Sequence, residues 1–137
     1  HEMMSKIITK DDLEGVVKQY IQQGFISKIE AINIERIILK IVTHNQISAF
    51  FKKDITVFNE REIVDVDNQI IIPDRLVLNA KKEVIIIDYK TGKPSKKYHQ
   101  QLLKYEQVLK TMNFKVVQKL LVYINEEIDI VEVSSKK

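Results

Sequence analysis

The fold is decided by one stretch, Glu83-Val84-Ile85-Ile86-Ile87-Asp88-Tyr89-Lys90-Thr91-Gly92. Four consecutive β-branched residues, Val84 to Ile87, favour an extended backbone. They do not alternate with polar residues, so the strand they form is central and buried on both faces. The run is strand-length and far short of the roughly 20 apolar residues that span a bilayer. It ends on a carboxylate, Asp88, and a buried carboxylate is costly unless it is paired or bound to a cation. Lys90 follows two residues later and therefore points to the same face as Asp88.

Upstream, Asn79 to Lys82 reads as a turn, and Gln69 to Leu78 as a strand interrupted by Pro73. Asp65 to Asn68 is a second turn, preceded by a β-rich segment from Ile55 to Ile63. A hairpin turning around residue 81 places Asp74 opposite Asp88. A hairpin turning around residue 67 places Glu60 opposite Asp74. Three acids then line up across three adjacent strands. Even-length turns would send Asp74 and Asp88 to opposite faces, so this alignment requires odd turns or a bulge. Pro73, which lacks an N–H, is the expected place for a bulge.

Downstream of the central strand, a helix is predicted from Lys97 to Met112, then strands from Lys115 to Ile124 and from Ile128 to Val133. The first third of the chain reads as helical. Thr9 and Asp12 form a capping-box-like start. Leu13, Val16, Val17, Tyr20 and Ile21 follow at helical spacing, and Gly24 is the expected stop. Ile34, Ile37, Ile38 and Ile41 mark a second helix, and a short third one is expected from Gln46 to Phe51. The order is ααα-βββ-α-ββ. It predicts an α/β fold with a mixed β-sheet flanked by helices, in a single domain over residues 1–137.

Composition narrows the chemistry. Cysteine is absent, which removes disulfides, thiolate metal sites and Cys nucleophiles, and fits a reducing cytoplasm. No secretory or transit segment is read. The net charge of +3 permits nucleic-acid binding without arguing for it. The positions of the charges say more: Lys90, Lys93, Lys96 and Lys97 fall within eight residues of one another. A lysine-rich loop is often merely solvated, but this one adjoins the acidic strand end.

Clustered carboxylates raise one another's pKa, and a hard divalent cation relieves the repulsion. Oxygen donors suit Mg²⁺ or Mn²⁺. An ammonium beside such an ion can orient or help deprotonate an attacking water and stabilise a phosphorane-like transition state. Phosphodiester hydrolysis needs these parts. An Asp-x-Lys at a strand end is common by itself, and Asp74 alone could be a turn acid or a partner of Arg75. The weight lies in the ordered set: Glu60, then Pro73-Asp74, then Asp88-x-Lys90, on successive strands.

Glu60, Pro73-Asp74, Asp88-Tyr89-Lys90-Thr91-Gly92 and Gln101-x-x-x-Tyr105 together resemble the nuclease domain of the RecB/AddA family, within the PD-(D/E)xK superfamily. The resemblance is sharp over roughly residues 55 to 125. It implies a restriction-endonuclease-like core and metal-dependent DNA hydrolysis, with Mg²⁺ or Mn²⁺ as the cofactor. It implies that Asp74, Asp88 and the backbone carbonyl of Tyr89 bind the metal and that Lys90 is catalytic. Gln101 and Tyr105 would position DNA; they share a helix face at i and i+4. Lys93, Lys96 and Lys97 are expected as phosphate contacts from the clustering of charge itself. The family also carries an upstream metal-binding His. His1 is either that ligand or a residue appended ahead of an initiating Met. Such domains sit in helicase–nucleases that process DNA breaks, so the implied partners are single-stranded DNA ends and a helicase region of the same polypeptide or a partner subunit, with no membrane. The sequence holds no ATPase P-loop and cannot build the four-Cys iron–sulfur site of some relatives. Two rivals stand beside this reading. One is a catalytically inactive scaffold or DNA-binding module on the same fold. The other is a structure-specific nuclease, such as a Holliday-junction or restriction enzyme, against which the Tyr-Lys-Thr-Gly and Gln-x-x-x-Tyr segments weigh.

Overall fold

The computed structural model describes residues 2–134, in two compact units that meet in sequence between Asp54 and Ile55. The first unit is helical. After 3₁₀ turns at Met4–Lys6 and Lys10–Asp12, helix α1 spans Leu13–Gln22 and α2 spans Lys28–Val42. The Asp12 carboxylate accepts from the backbone amides of Ile8 and Thr9, as the capping pattern predicts. Gly24 ends α1 with φ +78°, a conformation that favours glycine. The amides of Gly24 and Phe25 bond back to Ile21 and Tyr20, and the Tyr20 and Phe25 rings lie 5.7 Å apart. This is a Schellman stop with its hydrophobic contact. Helix α2 opens on a reciprocal cap between Ser27 and Glu30. The expected third helix is shorter than predicted, a 3₁₀ turn at Ser48–Phe51. Four residues do not sustain an α-helix, and 3₁₀ geometry is common in such short connectors.

The second unit holds strands β1 (Thr56–Asn59), β2 (Ile63–Val64), β3 (Ile70–Ile71), β4 (Arg75–Leu78) and β5 (Glu83–Lys90). Helix α3 (Lys96–Thr111) and strands β6 (Lys115–Ile124) and β7 (Ile128–Glu132) follow. The main sheet has the order β1-β4-β5-β6-β7; β5 and β6 are parallel and the other neighbours antiparallel. It is the mixed α/β sheet that the sequence predicts. Among the described residues no helix is long and apolar enough to cross a membrane.

The two predicted long strands before β5 are each broken in two. Asn59 pairs with Arg75, and four residues further along the hairpin Ile63 pairs with Ile71, so both pieces keep one register. The ladder lapses where Glu60, with φ +49°, and Pro73 fall in the gap. Pro73 has no N–H to give, and a left-handed residue leaves the extended backbone. No bulge forms there. Instead both turns are odd. Residues 66–68 and 80–82 are three-residue loops that close on Asp65–Gln69 and Asn79–Glu83, with Asn68 and Lys82 at positive φ. A register shift lies between β5 and β6, where Val117 is the extra residue.

Every residue from Val84 to Tyr89 is buried, as expected for a strand covered on both faces. Val84 and Ile86 join Leu76, Leu121 and Tyr123 beneath Leu102, Tyr105, Val108 and Leu109 of α3. Full burial of each large aliphatic side chain contributes roughly 1.5–3 kcal/mol. This packing fixes α3 over the sheet with its N-terminal turns near the C-terminal end of β5.

Candidate active site

Odd turns put Asp74 and Asp88 on the same face of neighbouring strands. Extending the β4–β5 register beyond Arg75↔Ile87 sets the two acids opposite each other. Asp74 lies just past the paired part of β4, so its amide is not committed to a strand partner there. It donates to Oδ1 of Asp88 at 2.9 Å. In return, the amide of Tyr89 donates to Oδ2 of Asp74 at 2.8 Å. Two carboxylates that would otherwise repel are thus each tied to the other's strand.

Burial makes both carboxyls less acidic than usual. Burial pushes the Asp88 carboxyl up to about 6 from its ordinary 3.8, and the Asp74 carboxylate pushes the same way. Hydrogen bonding from the Asp74 amide and the Lys90 ammonium oppose the rise. Asp74 is also raised by burial, against the Tyr89 amide and Lys90. Lys90 leaves β5 on the same face, its Nζ 3.5 Å from Oδ2 of Asp88.

Lys90 is itself held from α3. Its Nζ donates to Oε1 of Gln101 at 2.8 Å, and Nε2 of Gln101 donates to the Tyr105 hydroxyl at 2.9 Å. The Gln101-x-x-x-Tyr105 spacing therefore does what its helical geometry allows, but its bonds run to Lys90. Tyr105 is buried, which removes most of its surface from any DNA strand. Its hydroxyl is pushed up to about 12, first by burial and then by the two carboxylates.

Glu60 departs from the expected line of three acids. Its amide donates to the Asp74 carbonyl at 3.0 Å, so the register is as predicted. Its φ of +49° takes it out of the strand, and its side chain is exposed. Among the described residues no group of three His, Cys, Asp or Glu gathers as a cation site. His1, the other candidate ligand, lies outside the described residues. Tyr89 turns its ring to the opposite, buried face, and burial raises its phenol. Its backbone stays against Asp74 through the amide bond above.

Lys93, Lys96 and Lys97 are exposed around the start of α3. The Lys97 amide donates to Oγ of the cap residue Ser95 at 3.4 Å. Two residues here escaped the sequence reading. Asn125, in the β6–β7 turn, makes a two-way bond with the backbone of Gly92: Oδ1 accepts from the Gly92 amide at 3.0 Å and Nδ2 donates to its carbonyl at 3.1 Å. This pins the loop leaving Lys90 at a glycine with φ +82°. Tyr98 places its ring 4.7 Å from the Lys90 ammonium. Neither carries a local sequence signal, because the partner of each lies in another segment.

The donor set suits a hard cation: the buried Asp88 and half-buried Asp74 carboxylates, both with raised pKa values, at the end of β5. Mg²⁺ is commonly bound by one or two carboxylates with water completing the shell.

Comparison with known proteins follows the same line. A family model for the PD-(D/E)XK nuclease superfamily matches residues 16–135. The search of curated proteins returned no match. Nine chains of solved structures match. One is described as the crystal structure of SSO0001, at 21% identity, 94% coverage of this chain, 68% coverage of that chain and a TM-score of 0.40. A likeness at that level carries no argument about the site. The family match spans most of the chain, including every element of the mixed sheet and the Asp74–Asp88–Lys90 cluster: this chain belongs to the PD-(D/E)XK nuclease superfamily.

Proposed function

We propose that this domain is a metal-dependent deoxyribonuclease of the RecB/AddA type, acting as an exonuclease on single-stranded DNA ends during break processing. The observation that carries the reading is the joining of Asp74, Asp88 and Lys90 on one strand-end face, with Lys93, Lys96 and Lys97 at the adjoining helix start. In this reading the chain acts as one nuclease domain beside a helicase region, in the same polypeptide or a partner subunit. A chain without cysteine is compatible with the cytoplasm, where the reading places it.

Asp74, Asp88 and the Tyr89 carbonyl would hold Mg²⁺ or Mn²⁺, and His1 is a further candidate ligand. When bound, such a cation activates water and offsets charge developing on phosphate oxygens. The protein's own groups do the rest. Lys90 directs its ammonium at the place where a phosphate oxygen or the attacking water sits beside Asp88. Gln101, braced by Tyr105, fixes that ammonium and so positions the DNA strand through it. Lys93, Lys96 and Lys97 take up flanking phosphates, aided by the positive end of α3. Glu60, whose amide bonds to the Asp74 carbonyl, is a further candidate acid at the rim of the site.

One observation favours a second reading, a DNA-binding module that has lost catalysis: no third acid gathers with Asp74 and Asp88 among the described residues. Incubation with linear and single-stranded DNA, in Mn²⁺ or in EDTA, separates the two. Cleavage that requires Mn²⁺ supports the nuclease. Metal-independent DNA binding without cleavage, in the presence of the helicase region, supports the module.

A further inference from the structure

Lys90 has a third neighbour that neither the Asp-x-Lys motif nor the Gln-x-x-x-Tyr spacing supplies. Its Nζ lies 4.7 Å from the centroid of the Tyr98 ring. That is well inside the range for attraction between a cation and a ring quadrupole, and Tyr is among the better rings for it. Tyr98 is only half-buried, but it is backed by Tyr123. The two rings lie 6.4 Å apart at a 53° tilt, and Tyr123 is 1% exposed. Tyr123 stands beside Lys90 on the neighbouring strand, since the β5–β6 register pairs the two. A buried ring thus supports a half-buried one, and the half-buried one meets the ammonium.

We propose that Tyr98 is a positioning residue for Lys90, holding the ammonium over its ring between Asp88 and Gln101. The inference rests on the nuclease reading for its catalytic meaning, though not for its geometry. The physical logic concerns donors. Asp88 and Gln101 each draw an N–H of the ammonium toward an oxygen. A third oxygen acceptor would occupy the last donor and leave none for substrate. An aromatic face attracts the charge without accepting a full hydrogen bond. It confines Lys90 on its remaining side and leaves a donor for a phosphate oxygen or water.

A competing use of the same ring must be separated. Lys97 also approaches Tyr98, with its Nζ 5.4 Å from the centroid. If the ring served Lys97, its loss would weaken DNA binding and raise KM. If it serves Lys90, its loss lowers kcat.

The test uses the metal-free and the Mn²⁺-loaded protein. In metal-free wild type, nuclear magnetic resonance should show upfield-shifted Lys90 ε-methylene protons and nuclear Overhauser contacts from them to the Tyr98 ring. Tyr98→Leu should abolish the upfield shift and lower kcat about fivefold to thirtyfold, the range for a partly desolvated cation–π contact. KM should change little, and Tyr98→Phe should restore both the shift and the lost kcat. Absence of the ring contact in wild type would overturn the proposal, and that measurement needs no variant to fold. A normal kcat in Tyr98→Leu, or an effect confined to KM, would overturn it as well. If wild type cleaves no DNA even with the helicase region present, the nuclease reading fails while the resonance measurements still decide where Lys90 is held.

Discussion

Asp74 and Asp88 are bound to each other through the backbone rather than merely placed near one another. The Asp74 amide donates to the Asp88 carboxylate, and the amide following Asp88 donates to the Asp74 carboxylate. The exchange is possible because Asp74 lies just beyond the paired part of β4, opposite Asp88, and next to a proline that cannot continue the ladder. It holds two acids close together in the absence of a cation, and each remains less acidic than usual.

That strain predicts a pH dependence. Asp88 is raised from 3.8 to about 6, so between those values the folded chain keeps a proton that the unfolded chain has shed. Its contribution to stability is therefore present at low pH and lost as pH rises through about 6. The difference amounts to roughly 3 kcal/mol for a shift of this size. In EDTA, Asp88→Asn should become progressively more stable than wild type between pH 5 and pH 7. Thermal midpoints of both proteins across that window test this, and a constant gap would refute it.

Metal should reverse the order. Mn²⁺ binds the folded site and stabilises it by mass action, by about 2.7 kcal/mol at a hundredfold excess over Kd. Wild type should gain thermal stability with Mn²⁺ at pH 7, and Asp88→Asn should gain little. Equal gains in the two proteins would place the cation elsewhere.

Gln101 is predicted to act through Lys90. Gln101→Leu removes the 2.8 Å acceptor from the ammonium and should lower kcat by about tenfold to a hundredfold, as loss of a hydrogen bond to a charged group implies. Tyr105→Phe leaves Gln101 in place and should have a smaller effect. Single-turnover cleavage rates compare them. A larger loss in Tyr105→Phe would mean that the tyrosine has a role of its own.

Asn125→Ala should loosen the loop after Lys90. It deletes both bonds to Gly92 in an exposed turn, so the stability cost should be small, about 1 kcal/mol. The effect on catalysis should exceed the effect on stability, because the loop carries Lys90 into the site. Denaturant midpoints and kcat measured together would show it.

Replacing Lys93, Lys96 and Lys97 by Gln should weaken DNA binding without altering metal binding. Each lost phosphate contact lowers the salt slope for single-stranded DNA by about 0.7. Titration at several salt concentrations reads this. An unchanged slope would return these lysines to the role of a solvated loop.

The central part of this site was legible in the sequence because its geometry follows from strand register. Counting outward from Val84–Ile87 placed Asp74 opposite Asp88 and Glu60 opposite Asp74, and the structure has both registers. The odd turns carry it, with Asn68 and Lys82 in the left-handed conformation; a proline bulge was unnecessary. Glu60 does not converge with the other two acids in this structure, because pairing register does not reveal a residue's φ, and a left-handed residue does not follow the strand's alternation. Asn125 and Tyr98 were missed for a different reason. Asn125 acts on Gly92, far away in sequence, and Tyr98 acts on Lys90 across the loop between β5 and α3; neither an Asn in a turn nor a Tyr in a helix announces that. Ser27 and Glu30 do carry a local signal, the Ser-x-x-Glu spacing of a capping box.

The most direct test of the central claim is cleavage of single-stranded DNA with Mn²⁺ by wild type, Asp88→Asn and Lys90→Met, with the helicase region supplied where the domain alone is inactive. Cleavage by wild type that EDTA abolishes, and a loss of at least about a hundredfold in each variant, is the predicted result. Metal-dependent cleavage that persists undiminished in both variants would contradict the assignment of Asp74, Asp88 and Lys90 as the active site.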